Sequence, residues 1–270
     1  MGLTHRRAHV GFAGFARSAG FTVIELIVVI AVIALLLSML VPSLASVRAA
    51  GRSVACLANL RQMAIAAQGY ALEHKYFPPA LRYENNGGFR TVAWDWVTTP
   101  DGRVISPGPL WAFTDDPGRV QQCPEYGGGT NTADPYTGYN YNTTYVGGES
   151  MSLIPGWDIF RRGVRYSACR RTVSVALFGD GGWAGGTNKF MRAPANTLGG
   201  TLSLSVIYAG GQAFRHQKAT NVAYLDFHVG SVAGPSKGLL ATEALLENTM
   251  GYPKNGFLSN DDTAYDPNPR

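Results

Sequence analysis

FTVIELIVVIAVIALLLSMLV, residues Phe21–Val41, carries three polar side chains, Thr22, Glu25 and Ser38. As an α-helix rising 1.5 Å per residue it reaches about 31 Å, the thickness of a bilayer's hydrocarbon core. Apolar residues occupy every face, which excludes an amphipathic surface helix and a coiled-coil seam. The stretch therefore predicts a membrane-spanning helix at the head of the fold. A signal peptide cut after the small residues Ser43 and Ala45 is the alternative, but its apolar core would exceed the usual ~7–15 residues.

The remainder of the 270 residues is of a different texture. Residues 1–77 hold six Gly and one Pro, whereas 41 of these two residue types fall in residues 78–270. That density stays below the ~25–30% that signals disorder, so a folded, loop-rich domain follows the helix. The net charge of +5 gives no nucleic-acid footprint. Arg6, Arg7 and Arg17 supply three of those charges, and beyond residue 20 there are 20 basic against 18 acidic side chains. Charge does not orient the span either, because Arg48, Arg52 and Arg61 follow it as closely as the first three precede it.

A carboxylate in an apolar helix is costly, and Glu25 is the one acid in this stretch. It is the fifth residue counted from Phe21; Gly20 stands just before, and Arg17 three residues before the glycine. In this arrangement GFTVIELI resembles the type IV prepilin family, which includes the pseudopilins of type II secretion. The resemblance implies a basic leader, residues 1–20, removed by prepilin peptidase between Gly20 and Phe21, with N-methylation of Phe21. Pro42 matches a helix-perturbing proline that the family often carries.

These residue types suit that chemistry. Glycine before the cut leaves an extended backbone unobstructed. The new amine on Phe21 stays positive after methylation and is placed to meet Glu25 of a neighbouring subunit. At ~4 Å and an effective dielectric of ~20 the attraction is about 4 kcal/mol before desolvation. Glu25 is thus the expected assembly residue, and the implied partners are prepilin peptidase, further copies of this chain, other pilin-like subunits and the inner membrane.

Beyond Pro42, Val47, Ala50, Val54, Leu57, Leu60, Met63, Ala67 and Tyr70 recur at helical spacing. A helix running to about Tyr76 is predicted, stopped by Pro78 and Pro79, with Pro42 a candidate kink. The expected divisions are 1–20 leader, 21–77 transmembrane and assembly helix, and 78–270 periplasmic or extracellular domain. Strands are predicted at Thr91–Val97, Thr172–Phe178, Leu202–Tyr208 and Thr220–Val229, with loops in GGGTNTADPYTGYNYNTTYVGG and GDGGWAGGTN and a short helix near Thr242–Asn248. The fold class that follows is α+β, a pilin-like long helix packed on a loop-rich antiparallel sheet.

In TNVAYLDFHVG, alternation places Ala223, Leu225, Phe227 and Val229 toward a core, and Tyr224, Asp226 and His228 away from it. His216 stands ten residues before Asp226. This block resembles the His, nine residues, Asp, Gly signature of large pilin-like proteins of planctomycete-type bacteria. Phe227 occupies the position where that family usually has glycine. The segments CLANLRQ, QQCPE, GYNYN and RTVSVALFGDGG extend the resemblance, which implies no activity for the domain.

Three readings of His216, Asp226 and His228 stand side by side. Two imidazoles and a carboxylate suit a transition metal, His216 with Asp226 would make an acid–base pair, and a His–Asp hydrogen bond would pin a loop to a strand. The first two give the alternative function, an exported or membrane-tethered metal-binding protein or hydrolase. For calcium, which some pseudopilins bind, Asp180, Asp261, Asp262 and Asp266 are the available oxygens, without EF-hand spacing. No nucleophile elbow, P-loop or dinucleotide fingerprint occurs, so no enzyme, cofactor or metal is assigned. Of the three cysteines, Cys123 and Cys169 are the expected bridge in an oxidising compartment, worth about 4 kcal/mol, with Cys56 a small buried hydrophobe. The sequence alone leaves that pairing open.

Overall fold

The structure, a computed structural model, describes residues 20–85, 88–114, 120, 122–127, 138–148, 163–195 and 202–269. The leader up to residue 19, including its three arginines, lies outside the described residues, as do residues 128–137 of the first glycine-rich loop. The chain divides into two units, Met1–Ser46 and Val47–Arg270. Helix α1, Val23–His74, contributes to both.

In the first unit every large apolar side chain from Phe21 to Leu44 is exposed. Among the described residues α1 is the one helix long and apolar enough to cross a membrane. Its start is set by a reciprocal cap: Glu25 Oε2 accepts from Thr22 N–H at 2.8 Å and from Thr22 Oγ1 at 2.9 Å, while Thr22 Oγ1 accepts from Glu25 N–H at 3.2 Å. This is a capping box, Thr-x-x-Glu, which satisfies backbone donors that the first turn would otherwise leave open. Pro42 lies inside α1, which continues through it.

The second unit buries α1 through Cys56, Leu60, Met63, Ala64, Ala67 and Ala71. Leu60, Met63 and Ala67 belong to the expected stripe, but Val47, Ala50 and Val54 are exposed and Cys56 takes the inward position. The small residues let the helix approach Trp94, Trp111, Tyr141, Phe178 and Leu225 closely, forming one core. The compact unit Val47–Arg270 thus includes the second half of α1, seven residues of which are buried. Lys75, in a left-handed conformation (φ 67°), ends α1 just ahead of Pro78.

Strands β1 (Leu81–Asn85), β2 (Phe89–Ala93), β3 (Trp96–Thr98) and β4 (Val104–Pro107) form an antiparallel meander in sequence order. The single strand expected over Thr91–Val97 is therefore two, divided at Trp94–Asp95, where Asp95 Oδ1 accepts from Trp96 N–H at 2.9 Å. The larger sheet runs β10-β9-β6-β5-β7. It comprises β5 (Tyr139–Asn142), β6 (Ala176–Asp180), β7 (Phe190–Met191), β9 (Ala219–Tyr224) and β10 (Val229–Ala233). Its pairs are antiparallel except β5 with β7. β8 (Gln212–Ala213) pairs with β11 (Asn255–Gly256). Helices and antiparallel sheets together make the α+β class that the sequence implies.

Three further elements differ from expectation. Leu204–Tyr208 is a short helix, α2, because Ser203 caps it by accepting from Val206 N–H; that local bond outweighs the β-branched content of the segment. β6 begins at Ala176, after a turn over Thr172–Ser174. The strand expected over Thr220–Val229 is a hairpin whose turn is Leu225–His228, closed by Tyr224 N–H to His228 O and Phe227 N–H to Tyr224 O, each 2.9 Å. The short C-terminal helix is present near its expected place as a π-helical turn, Leu245–Met250.

Candidate functional site

Among the described residues, two places concentrate chemistry-bearing side chains. At the first, Gly20 and Phe21 are exposed ahead of α1, Phe21 at 75%. A Cβ on Gly20 would meet nothing within 4 Å, so no contact of this fold requires glycine there. Glu25 lies one turn further on, its carboxylate engaged with Thr22.

The second place is inside the domain, where Cys56, Cys123, Asp180 and His216 converge. Their ligand-type atoms all lie within 4.8 Å of one another. Cys56, Cys123 and Asp180 have no exposed surface, and His216 has 5%. His216 Nε2 is 3.2 Å from Asp180 Oδ2 and 3.3 Å from Cys123 Sγ, and Cys56 Sγ is 3.5 Å from Asp180 Oδ1. Asp180 Oδ2 also accepts from Asn221 N–H at 2.9 Å. Asn221 in turn donates to the Ser53 carbonyl and hydroxyl at 3.2 Å, tying the carboxylate back to α1 one turn before Cys56.

Each member is held by a separate part of the fold. Cys56 sits on the inward face of α1, and Asp180 closes β6. Cys123 lies against Gly138, whose φ of +134° and close approach to the Cys123 backbone leave no room for a side chain. His216 opens a two-residue hairpin turn: its N–H and C=O both bond to Ala219 at 3.0 Å. The central residues Gln217 and Lys218 have φ of 53° and 68°, left-handed values that L-residues adopt at a cost. Arg215 stacks on Tyr126, with its guanidinium carbon 5.0 Å from the ring centroid, and donates to the Gly138 and Gly181 carbonyls.

Burial and proximity displace the titrations of these groups. The hydrogen bond from Cys56 chiefly lowers Cys123, to about 6, against its desolvation and with help from His216. Burial raises Cys56, reinforced by its bond to Cys123 and by the charge of Asp180. Burial opposes a charge on His216, yet its bonds to Asp180 and Cys123 prevail and raise it to about 9. The cluster therefore favours a thiolate at Cys123 facing an imidazole donor.

This arrangement reassigns several expected residues. His216 pairs with Asp180, not with Asp226. Asp226 and His228 occupy the exposed hairpin turn, Nδ1 to Oδ1 at 2.5 Å, with His228 stacked on Tyr224 at 4.2 Å. The nine-residue spacing thus joins two separate turns, and no site formed by His216, Asp226 and His228 exists. Phe227, where the related signature has glycine, has φ 68°, so the turn itself demands a residue able to enter the left-handed region. Its ring pays back part of that strain against Tyr166, 5.9 Å away. All three cysteines are free. The expected Cys123–Cys169 bridge is not formed, because Cys123 faces His216 while Cys169 Sγ contacts the Arg165 carbonyl at 3.6 Å.

The calcium candidates also part company. Asp261 accepts from Thr263 N–H, Asp262 from Tyr145 Oη at 2.6 Å and Ala195 N–H at 2.7 Å, and Asp266 from Asn268 N–H. Each secures local backbone or a neighbouring side chain, and Asp180 lies in the cysteine cluster. Among the described residues, that cluster is the one place where three or more such donors meet. Sequence spacing does not join Cys56 and Asp180 to Cys123 and His216, because the partners stand 124 and 93 residues apart in the pairs Cys56–Asp180 and Cys123–His216. The role of Thr22 has a sequence signal of its own, since Thr-x-x-Glu ahead of an apolar run is a readable cap.

Two family models match the chain. One, described as the prokaryotic N-terminal methylation motif, covers residues 15–41 and so includes Gly20, Phe21 and Glu25. The other, described as a protein of unknown function (DUF1559), covers residues 45–102, from the second half of α1 through β3, and includes Cys56. No curated protein and no solved structure matches the chain. The chain thus resembles pilin-like proteins in its N-terminal part, with a prokaryotic N-terminal methylation motif leading into an apolar helix and, after it, a segment similar to DUF1559.

Proposed function

We propose that this pilin-like chain is a structural subunit, cut by prepilin peptidase between Gly20 and Phe21, methylated at Phe21, and assembled through α1 into a type II secretion or type IV pilus-like filament. The observation that carries the reading is the methylation motif over residues 15–41 leading into the apolar start of α1, whose large side chains up to Leu44 are all exposed among the described residues. An apolar surface of this extent is satisfied by lipid before assembly and by neighbouring helices after it.

Before assembly α1 anchors the precursor in the inner membrane, with the unit Val47–Arg270 in the periplasm. Cleavage leaves a cationic amine on Phe21, four residues before Glu25. Within one chain that carboxylate caps its own helix. In a filament it gains the amine of an adjoining subunit, and an unpaired carboxylate among packed helices would be strongly unfavourable. Helix registry follows from pairing the two.

N-terminal sequencing with mass analysis of the mature protein tests this directly. A methylated Phe21 as first residue is expected. Since Gly20 has open space around it, Gly20→Val leaves the fold intact and should retain the leader. A mature start at Ser46, or an intact leader in cells containing the peptidase, overturns the reading.

A further inference from the structure

We infer that Cys56, Cys123, Asp180 and His216 form a closed structural site for one Zn(II) ion that fastens the second half of α1 to the sheet of the same unit. This goes beyond the filament reading and does not depend on cleavage of the leader.

The geometry matches the ion. Tetrahedral zinc takes sulfur at ~2.3 Å and nitrogen or oxygen at ~2.0–2.2 Å, which sets neighbouring donors about 3.3–3.8 Å apart. With Asp180 Oδ2 as the carboxylate donor, it lies 3.2 Å from His216 Nε2 and 3.8 Å from Cys56 Sγ, and His216 Nε2 lies 3.3 Å from Cys123 Sγ; these three separations are close to edges of such a tetrahedron. The donors are two sulfurs, one imidazole nitrogen and one carboxylate oxygen. Thiolates disfavour calcium and magnesium, whereas this mixture suits zinc. Four protein donors with almost no exposed surface leave no position for water or substrate, the mark of a structural rather than a catalytic site.

The surroundings also fit. Two thiolates and a carboxylate around a dication leave one excess negative charge, and Arg215 lies beside the cluster to offset it. Asn221 N–H orients the Asp180 carboxylate in the way outer-shell groups fix metal ligands. His216 turns Nε2 to the other three, so on metal binding the ring gives up its Nε2 proton and donates that lone pair while Nδ1 keeps its proton. A Cys56–Cys123 disulfide would use the sulfurs alone and leave a His–Asp ion pair buried against it with no function. A metal employs all four groups. Binding releases to solvent the protons held on Cys56 and on the Cys123–His216 pair, leaving two thiolates and a neutral imidazole; no electron transfer is involved.

The test is metal analysis of the full-length chain, purified in detergent without chelator and without oxygen. About one zinc per chain is expected. Cys56→Ser, Cys123→Ser and His216→Ala should each reduce retained zinc at least tenfold, and Cys169→Ser should leave it unchanged. Should a variant fail to fold, the unaltered chain decides the matter: Co(II) added to the stripped protein should give intense visible bands of tetrahedral cobalt with thiolate charge transfer. Absence of stoichiometric zinc together with an octahedral Co(II) spectrum overturns the site. So does a mass two hydrogens lower that maps to a Cys56–Cys123 disulfide in the native protein, or zinc retained in all three variants.

Discussion

Thr22 and Glu25 cap one another at the start of α1, the carboxylate accepting from both the backbone and the hydroxyl of Thr22 and the hydroxyl accepting from the Glu25 backbone. Glu25 therefore has two separable tasks. Capping belongs to the single chain and needs only an acceptor; pairing with a neighbour's amine needs a charge.

Glutamine separates them. Glu25→Gln keeps the pattern of a capping box, while Glu25→Ala loses both acceptor and charge. Both variants should still be cut at Phe21, and both should assemble more than about tenfold less well, as expected for a lost charged contact of ~1.5–3 kcal/mol. Sedimentation of assembled material reads this out. Normal assembly of the glutamine variant would show that the cap, not the charge, is what matters.

The inward face of α1 is defined by Leu60, which is wholly buried, and its outward face by Val54, 65% exposed. Leu60→Ala should cost about 2–5 kcal/mol through lost burial and a residual cavity. Val54→Ala should stay within about 0.5 kcal/mol. Denaturant titrations of the two variants compare them, and equal losses would contradict the observed face.

Cys169 is half-buried and free, and burial pushes its thiol up to about 11. The thiolate is the reactive form. Alkylation of Cys169 in native protein should therefore proceed without reductant and accelerate about tenfold per pH unit between pH 8 and 10. Peptide mapping follows the rate. A residue that reacts only after reduction would restore the bridge to Cys123.

The turn that presents His216 places Gln217 and Lys218 in left-handed conformations, where Asn-Gly is the favoured pair. The double change Gln217→Asn with Lys218→Gly should stabilise the domain by about 1 kcal/mol and raise its melting temperature by ~2–4 °C. A thermal melt that falls instead would mean those side chains contribute contacts worth more than the strain.

What could be read from the sequence was what neighbouring residues decide among themselves. Twenty-one residues with three polar side chains must bury their surface in lipid or in other helices, whatever follows them. Gly20, Phe21 and Glu25 likewise form one short motif, and the buried phase of α1 from Leu60 to Ala67 follows from spacing alone. The break between β9 and β10 and the helix at Leu204–Tyr208 were hidden because a single side chain to backbone bond, from Asp226 or Ser203, outweighed a pattern that read as strand.

The cysteine cluster belonged wholly to tertiary structure. His216 lies ten residues from Asp226 yet meets Asp180, because two hairpin turns, one at each end of β9, carry the first pair apart. Cys56 reaches the same point only because α1 packs its small-residue face against the sheet. Donor types are visible in one dimension, but their distances are set by the packing of α1, β6 and the β8–β9 turn, and no local spacing encodes them.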